Sequence, residues 1–152
     1  MKIRIEIDSC FEDDEVIIKC REFNSIVQHV HDAIVEKTSK TPNMVFYKDK
    51  DEYFFPLTNV LFFETDNETV FAHTVNDVYR TEYKLYELQQ ILPERFVRIS
   101  KSTIVNITHI LSVSRNLTSS SLIKFHKSHK QVYVSRFYYK DLKQKMLYGR
   151  SN

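Results

Sequence analysis

The side chains with the widest chemical range in this sequence are its two cysteines and six histidines, and their spacing fits none of the usual catalytic or metal arrangements. Cys10 and Cys20 would need His29 and His31 to complete a zinc site, at separations outside the common patterns. Two cysteines alone give no disulfide framework. His126 and His129 have no acid near them in sequence, because Asp141 is the single acidic residue after Glu94. A nuclease needing clustered carboxylates for Mg²⁺ would have to recruit them from the first part of the chain. There is no Gly-rich phosphate loop and no Ser/His/Asp or Cys/His motif. No catalytic residue, metal ligand or cofactor is therefore expected. The cysteines read as reduced structural residues, and the histidines as surface groups that add positive charge at lower pH.

What remains is a set of cations with an uneven distribution. The formal net charge is only +2, but residues 1–94 hold 10 Lys/Arg against 19 Asp/Glu, a net of −9. Residues 95–152 hold 12 Lys/Arg against Asp141 alone, a net of +11. The basic residues run from Arg95 to Arg150 across many elements rather than forming a tail. Such a field attracts a polyanion, and each phosphate neutralised releases counterions. Two other readings remain: the basic part folds against the acidic part, or it faces an anionic membrane surface. Charge favours nucleic acid without distinguishing DNA from RNA.

The elements that must position these groups follow from periodicity. With 152 residues, 42% hydrophobic and 13% aromatic, the chain can bury a core without disulfides or metal. Nothing at the start resembles a signal peptide and no apolar run reaches membrane-span length, so a cytoplasmic, soluble protein is expected. Residues 1–8 alternate Ile3, Ile5 and Ile7 with charged residues, predicting a strand. Glu12–Glu15 reads as a turn and Val16–Cys20 as a returning strand. Phe23, Ile26, Val27, Val30, Ile34 and Val35 recur at helical spacing, with Asn24 or Ser25 as cap. The polar stretch Thr38–Asn43, with Pro42, marks a boundary. These features predict a small β-β-α unit over 1–43 and a second domain over 44–152.

The second domain is predicted to be mostly β. Short strands are expected at Met44–Tyr47, Tyr53–Leu57, Val60–Glu64, Thr69–Thr74 and Val78–Thr81, with turns at Asp49–Asp51 and Asp66–Glu68. Leu85, Leu88 and Leu92 mark a helix that Pro93 ends. Strands resume at Phe96–Ile99, Thr103–Val105, Ile110–Val113, Leu122–Phe125 and Val132–Val134. Ser135 is placed to cap a last helix with Tyr138, Leu142 and Met146 on one face. Helix-turn-helix is a poor fit, so turns or strand ends are expected to read DNA.

Several ordered motifs carry a resemblance. Leu85-Tyr-Glu-Leu88-Gln-Gln-Ile-Leu92-Pro93 is followed by Phe96-Val97-Arg98-Ile99-Ser100-Lys101-Ser102-Thr103-Ile104-Val105-Asn106 and Ile110. Val134-Ser135-Arg136 then leads into Tyr138–Leu142, and Val60–Glu64 lies upstream. From about Met44 to Leu147 the sequence resembles the LytTR family of DNA-binding domains. The resemblance implies an elongated β domain with two short helices that inserts loops into successive DNA grooves, usually as paired protomers on direct repeats. About 43 residues precede the domain, too few for a receiver, so the stand-alone type of bacterial transcription regulator is expected.

The same resemblance supplies candidate DNA-binding residues. Lys101, with Ser100 beside it, falls in a loop that faces DNA in the family; a lysine there donates to phosphate or to base acceptors. The alternative is a solvated lysine at a strand end. Arg136 suits bidentate contact with guanine, and Lys140 a phosphate. The family often has two basic residues at the first of these places, and this chain has Phe137 second. Asn67 and Thr69 lie in the turn that aligns with another groove-entering loop, although Glu68 would repel phosphate and a plain solvated turn is nearly as good a reading. Arg98, Ser102 and Asn106 belong to the signature but read as structural. The glycine usual in the last hairpin is absent, with Asn116–Ser121 in its place.

The expected partners are double-stranded DNA and a second copy of the chain, with 1–43 mediating dimerisation or sensing. A membrane-protein partner is conceivable for a stand-alone member. The rival reading is an RNA-binding module stacking bases on Phe54, Phe55, Phe62 or Phe63, although one residue of each pair should face inward. An enzyme acting on nucleic acid is the third.

Overall fold

The computed structural model describes residues 2–38 and 44–149; the boundary expected within Thr38–Asn43 lies largely outside them, as does Arg150. The chain divides into two compact units, Met1–Ser39 and Lys40–Asn152.

In the first unit the helix forms and the two strands do not. Helix α1 spans Ser25–Thr38. Its start is fixed by Asn24, whose Oδ1 accepts from the backbone N–H groups of Ile26 (3.0 Å) and Val27 (3.1 Å). Val27, rather than Ile26, is the buried residue of this face. Residues 2–24 contain no strand, which corrects the β-β-α expectation to a helix preceded by irregular chain. Alternation prepares a face, but a strand also needs a hydrogen-bonded neighbour, and none is present for residues 2–8. Cys10 and Cys20 are both exposed rather than structural.

The second unit follows the predicted order closely. Sheet A contains β1 (Phe46–Lys48), β2 (Asp51–Tyr53), β3 (Phe62–Asp66), β4 (Thr69–His73), β5 (Val78–Arg80), β6 (Phe96–Arg98) and β7 (Thr103–Asn106). Its spatial order is β2-β1-β5-β4-β3-β7-β6. Sheet B contains β8 (Ile110–Ser114), β9 (Ser121–Phe125) and β10 (Gln131–Val134), in the order β10-β9-β8. Helix α2 (Leu85–Ile91) joins β5 to β6, and α3 (Arg136–Gly149) follows β10. The predicted Tyr53–Leu57 strand is instead β2 plus a 3-10 turn at Leu57–Asn59 that follows Pro56.

Sheet A is covered on both faces. On one side Phe62, Val97, Val105 and Ile107 pack with Ile123, Phe125, Val132 and Val134 of sheet B and Leu142 of α3. On the other, Phe46, Phe63, Val70 and Ile104 pack with Leu85 and Leu88 of α2 and with Leu57 and Val60. Phe62 and Phe63 are therefore both buried, on opposite faces, so the second residue of this pair is covered as well as the inward one. Phe55 stacks on Phe46 at 4.1 Å between ring centres, and Phe62 lies between His73 (4.2 Å) and Phe125 (5.5 Å).

Asn106 joins the layers. Completely buried, it donates through Nδ2 to the Val60 carbonyl (3.0 Å) and accepts at Oδ1 from Thr108 N–H (3.2 Å) and the Thr108 hydroxyl (2.7 Å). The side chain holds the β7 end against the segment before β3 and starts the 3-10 turn at Ile107–His109. In the glycine-free hairpin, Asn116 Oδ1 accepts from Thr118 N–H (3.1 Å) while Asn116 N–H donates to Ser121 Oγ (3.0 Å). This side-chain-closed turn removes the need for a glycine there.

Candidate nucleic-acid interface

Three segments from distant parts of the sequence meet at one edge of the second unit. The first is the tip of the β3–β4 hairpin. Asp66 pairs with Thr69, leaving the two-residue turn Asn67-Glu68, and both turn residues have positive φ (47° and 69°). That is the backbone of the tight turn whose twist matches its strands, here built without glycine. Lys84 Nζ donates to the Glu68 carbonyl (3.2 Å) and steadies the tip from outside.

The second segment is the loop Ile99–Ser102 between β6 and β7. Arg98 organises it: Nε donates to the Ser100 carbonyl, one terminal nitrogen to the Lys101 carbonyl, and the other to Gln89 Oε1 of α2 (3.1 Å). Ser100 Oγ accepts from Ser102 N–H (3.2 Å). With both carbonyls drawn inward by one planar cation, the Lys101 side chain is left exposed.

The third segment is the start of α3. Ser135 does not cap the helix: its Oγ is buried and has no hydrogen-bond partner. Its backbone N–H instead donates to the Ile99 carbonyl (2.8 Å), docking the helix start on the β6–β7 loop. That loop is joined to the hairpin by Thr65 N–H donating to the Ser102 carbonyl (2.8 Å). Backbone bonds thus connect the stretches carrying Asn67 and Thr69, Ser100 and Lys101, and Arg136 and Lys140. Asn67, Lys101, Arg136 and Lys140 are exposed; Thr69 and Ser100 are half-buried.

The basic field divides into internal and free cations. Arg95 lies over the Phe96 ring and is half-buried, Arg115 stacks on Tyr139 (4.7 Å), and Lys145 pairs with Asp141 (3.3 Å). Lys130 Nζ donates to the Asp77 carbonyl (2.6 Å) and lies 3.3 Å from His73 Nδ1. Lys101, Lys124, Lys127, Arg136, Lys140 and Lys143 are exposed and form no ion pair among the described residues. Arg136, Lys140 and Lys143 share one side of α3 at i, i+4 and i+7, away from buried Leu142. Phe137, 85% exposed beside them, packs edge-on against Tyr138 (5.0 Å).

At the other end of β4 lies a polar cluster that sequence reasoning missed. Burial, and then the Lys130 ammonium, push His73 down to about 4. Burial also raises the Glu64 carboxyl. Their 3.8 Å contact has ion-pair spacing, but both shifts favour the neutral forms, so His73 is uncharged at neutral pH. Lys48 and Asp77 beside it do form an ion pair (2.8 Å), and Ser128 Oγ ties the β9–β10 turn to the Val75 carbonyl (3.0 Å).

Residues 50–147 match the family model of the LytTr DNA-binding domain. The chain belongs to the LytTR family. A solved LytTr DNA-binding domain, from a Bacillus cereus protein described as a methyl-accepting/DNA response regulator, aligns with 70% of the LytTR chain and 97% of its own. The TM-score is 0.61 and the identity 25%. Relatives of matching length come from Staphylococcus aureus and are named as uncharacterized HTH-type transcriptional regulators. That of strain NCTC 8325 is 32% identical over 147 residues, covering 96% of this LytTR chain and 98% of the relative. That of strain MRSA252 is 31% identical over the same length. The HTH label belongs to those names: among the described residues of this LytTR protein, no two α-helices are consecutive.

Proposed function

We propose that the protein is a bacterial transcription regulator that binds double-stranded DNA sequence-specifically through the edge formed by Asn67–Thr69, Ser100–Lys101 and Arg136–Lys140. The observation that carries this reading is the linkage of those three stretches by the Thr65–Ser102 and Ile99–Ser135 backbone bonds, with Lys101, Arg136 and Lys140 exposed and unpaired among the described residues. Asn67 presents an amide on the hairpin tip, suited to adenine in a groove. Lys101 and Arg136 approach bases or phosphate, and Lys140 and Lys143 follow the backbone. Asp66 and Glu68 repel phosphate, which favours insertion of the tip at a base edge over docking on a strand backbone. The protein acts as a homodimer on repeated sites in the cytoplasm, where its DNA lies, and performs no catalysis.

An RNA-binding reading has weaker support, because Phe62 and Phe63 are buried and offer no stacking platform; Phe54 alone of the four candidates is exposed. The test is selection from a randomised duplex pool, followed by fluorescence anisotropy at two salt concentrations. Enrichment of a repeated motif, with affinity lost in Lys101→Ala and Arg136→Ala, is expected. Binding without enrichment, or preference for single-stranded RNA, would overturn the reading.

A further inference from the structure

Residues 2–8 carry a strand pattern without a strand partner. Ile3, Ile5 and Ile7 are 90%, 80% and 93% exposed, and no sheet bond involves residues 2–8. Exposed Val16 and Ile17 add to the apolar surface of the same unit. The sequence between these isoleucines is self-complementary when read in opposite directions. With Ile5 opposite Ile5 of a second copy, Ile3 faces Ile7, Arg4 faces Glu6 and Lys2 faces Asp8. Every apolar residue then meets an apolar residue, and every cation an anion.

Other registers lose this match. Sliding by two residues sets Arg4 against Arg4 in one direction and Glu6 against Glu6 in the other. Sliding by one sets charged residues against isoleucines. A parallel in-register arrangement puts each charge beside its own copy. We propose that residues 2–8 form an intermolecular antiparallel β-ribbon with a second copy of this chain, centred on Ile5, and that this is the dimer contact. The proposal deepens the homodimer reading above and rests on it.

An antiparallel pair about one two-fold axis is an isologous, closed contact, so assembly stops at two. Each copy supplies an unsatisfied backbone edge, and the three isoleucines of each copy meet on one face. Arg4 and Glu6 already form an ion pair within the chain, so their two side chains lie on one side of it, as the cross-strand pairs need. Asp8 accepts from Cys10 N–H through one carboxylate oxygen (2.9 Å), which leaves the other for Lys2 of the second copy.

Charge reversal in the full-length chain, read by sedimentation equilibrium, tests the register. Arg4→Glu places two acids opposite each other twice per dimer, and Glu6→Arg two bases. Each is expected to weaken dimerisation about tenfold or more. Mixing the two variants restores every cross-strand pair while leaving both chains without their internal ion pair, so a heterodimer of wild-type strength is expected. A monomeric wild-type chain, single reversals that remain dimeric, or a mixture that stays monomeric would each overturn the proposal. Anisotropy with a duplex holding one half-site separates this from the DNA reading: Arg4→Glu should bind it as wild type does. If wild type binds neither this duplex nor one holding the full repeated site, the DNA reading fails by itself.

Discussion

Arg98→Ala should uncouple loop order from charge at the proposed DNA-binding edge. Arg98 touches two backbone carbonyls of the Lys101 loop and Gln89 of α2, and so holds the loop without itself occupying the edge. A hydrogen bond from a charged donor contributes about 1.5–3 kcal/mol when buried and about 1 kcal/mol when partly solvated. Arg98 is half-buried, so the two loop bonds are taken together as about 2 kcal/mol. If DNA must then order the loop itself, affinity falls about thirtyfold. The slope of log affinity against log salt should stay at the wild-type value, because no phosphate contact is lost. Lys101→Ala should do the reverse in kind, reducing the slope by about one phosphate equivalent. Anisotropy titrations at four salt concentrations distinguish the two, with thermal melts to confirm folding. Arg98→Ala binding within twofold of wild type would refute the positioning role. A slope reduced as in Lys101→Ala would show that Arg98 touches phosphate directly.

Asn106→Ala removes three hydrogen bonds from a fully buried site and should cost about 2–4 kcal/mol, seen as a lower urea midpoint with unchanged slope; a loss below about 1 kcal/mol would contradict its bridging role. His73 has a folded value near 4 against 6.5, so it contributes no pH dependence above 6.5, where both states are neutral. As pH falls from 6.5 towards 4 the unfolded chain gains the proton first, and stability should drop. The full shift corresponds to about 3 kcal/mol, reduced to about 1–2 kcal/mol by residual solvent access. His73→Phe, which keeps a ring against Phe62, should flatten that part of the stability–pH curve, whereas an unchanged curve would assign the effect elsewhere. Glu68→Gly should stabilise the hairpin by about 1 kcal/mol by relieving a positive φ, and also strengthen DNA binding by removing an acid from the tip; a fall in melting temperature would contradict the turn geometry.

Within the second unit most strands were legible because short apolar stretches are bounded by turn signals, and the turn at Asn67-Glu68 has the left-handed backbone that Asn favours. The order of sheet A was not legible: β3 between β4 and β7 depends on long-range pairs such as Phe62 with Val105. Two-sided burial of Phe62 and Phe63 follows from that placement, because period two cannot tell whether the second face is covered. Charge counting found the basic half but not which cations are free. Lys130 and Arg98 are held by carbonyls, a use of charge that composition cannot reveal. The N-terminal alternation predicts a strand and a returning strand, yet residues 2–24 hold no strand, because period two shows a face and not a partner. Ser135 fitted a cap by position, yet its hydroxyl is buried and only its backbone N–H is used.

Amide hydrogen exchange of the full chain, free and bound to a selected duplex, tests the central claim most directly. The account predicts added protection at Asp66–Thr69, Ile99–Ser102 and Ser135–Lys140 together, with none at the exposed basic turn His126–His129 at the other end of β4. Protection centred on that turn and on Lys124, with the three joined segments unchanged, would place the DNA on a different face and contradict the account.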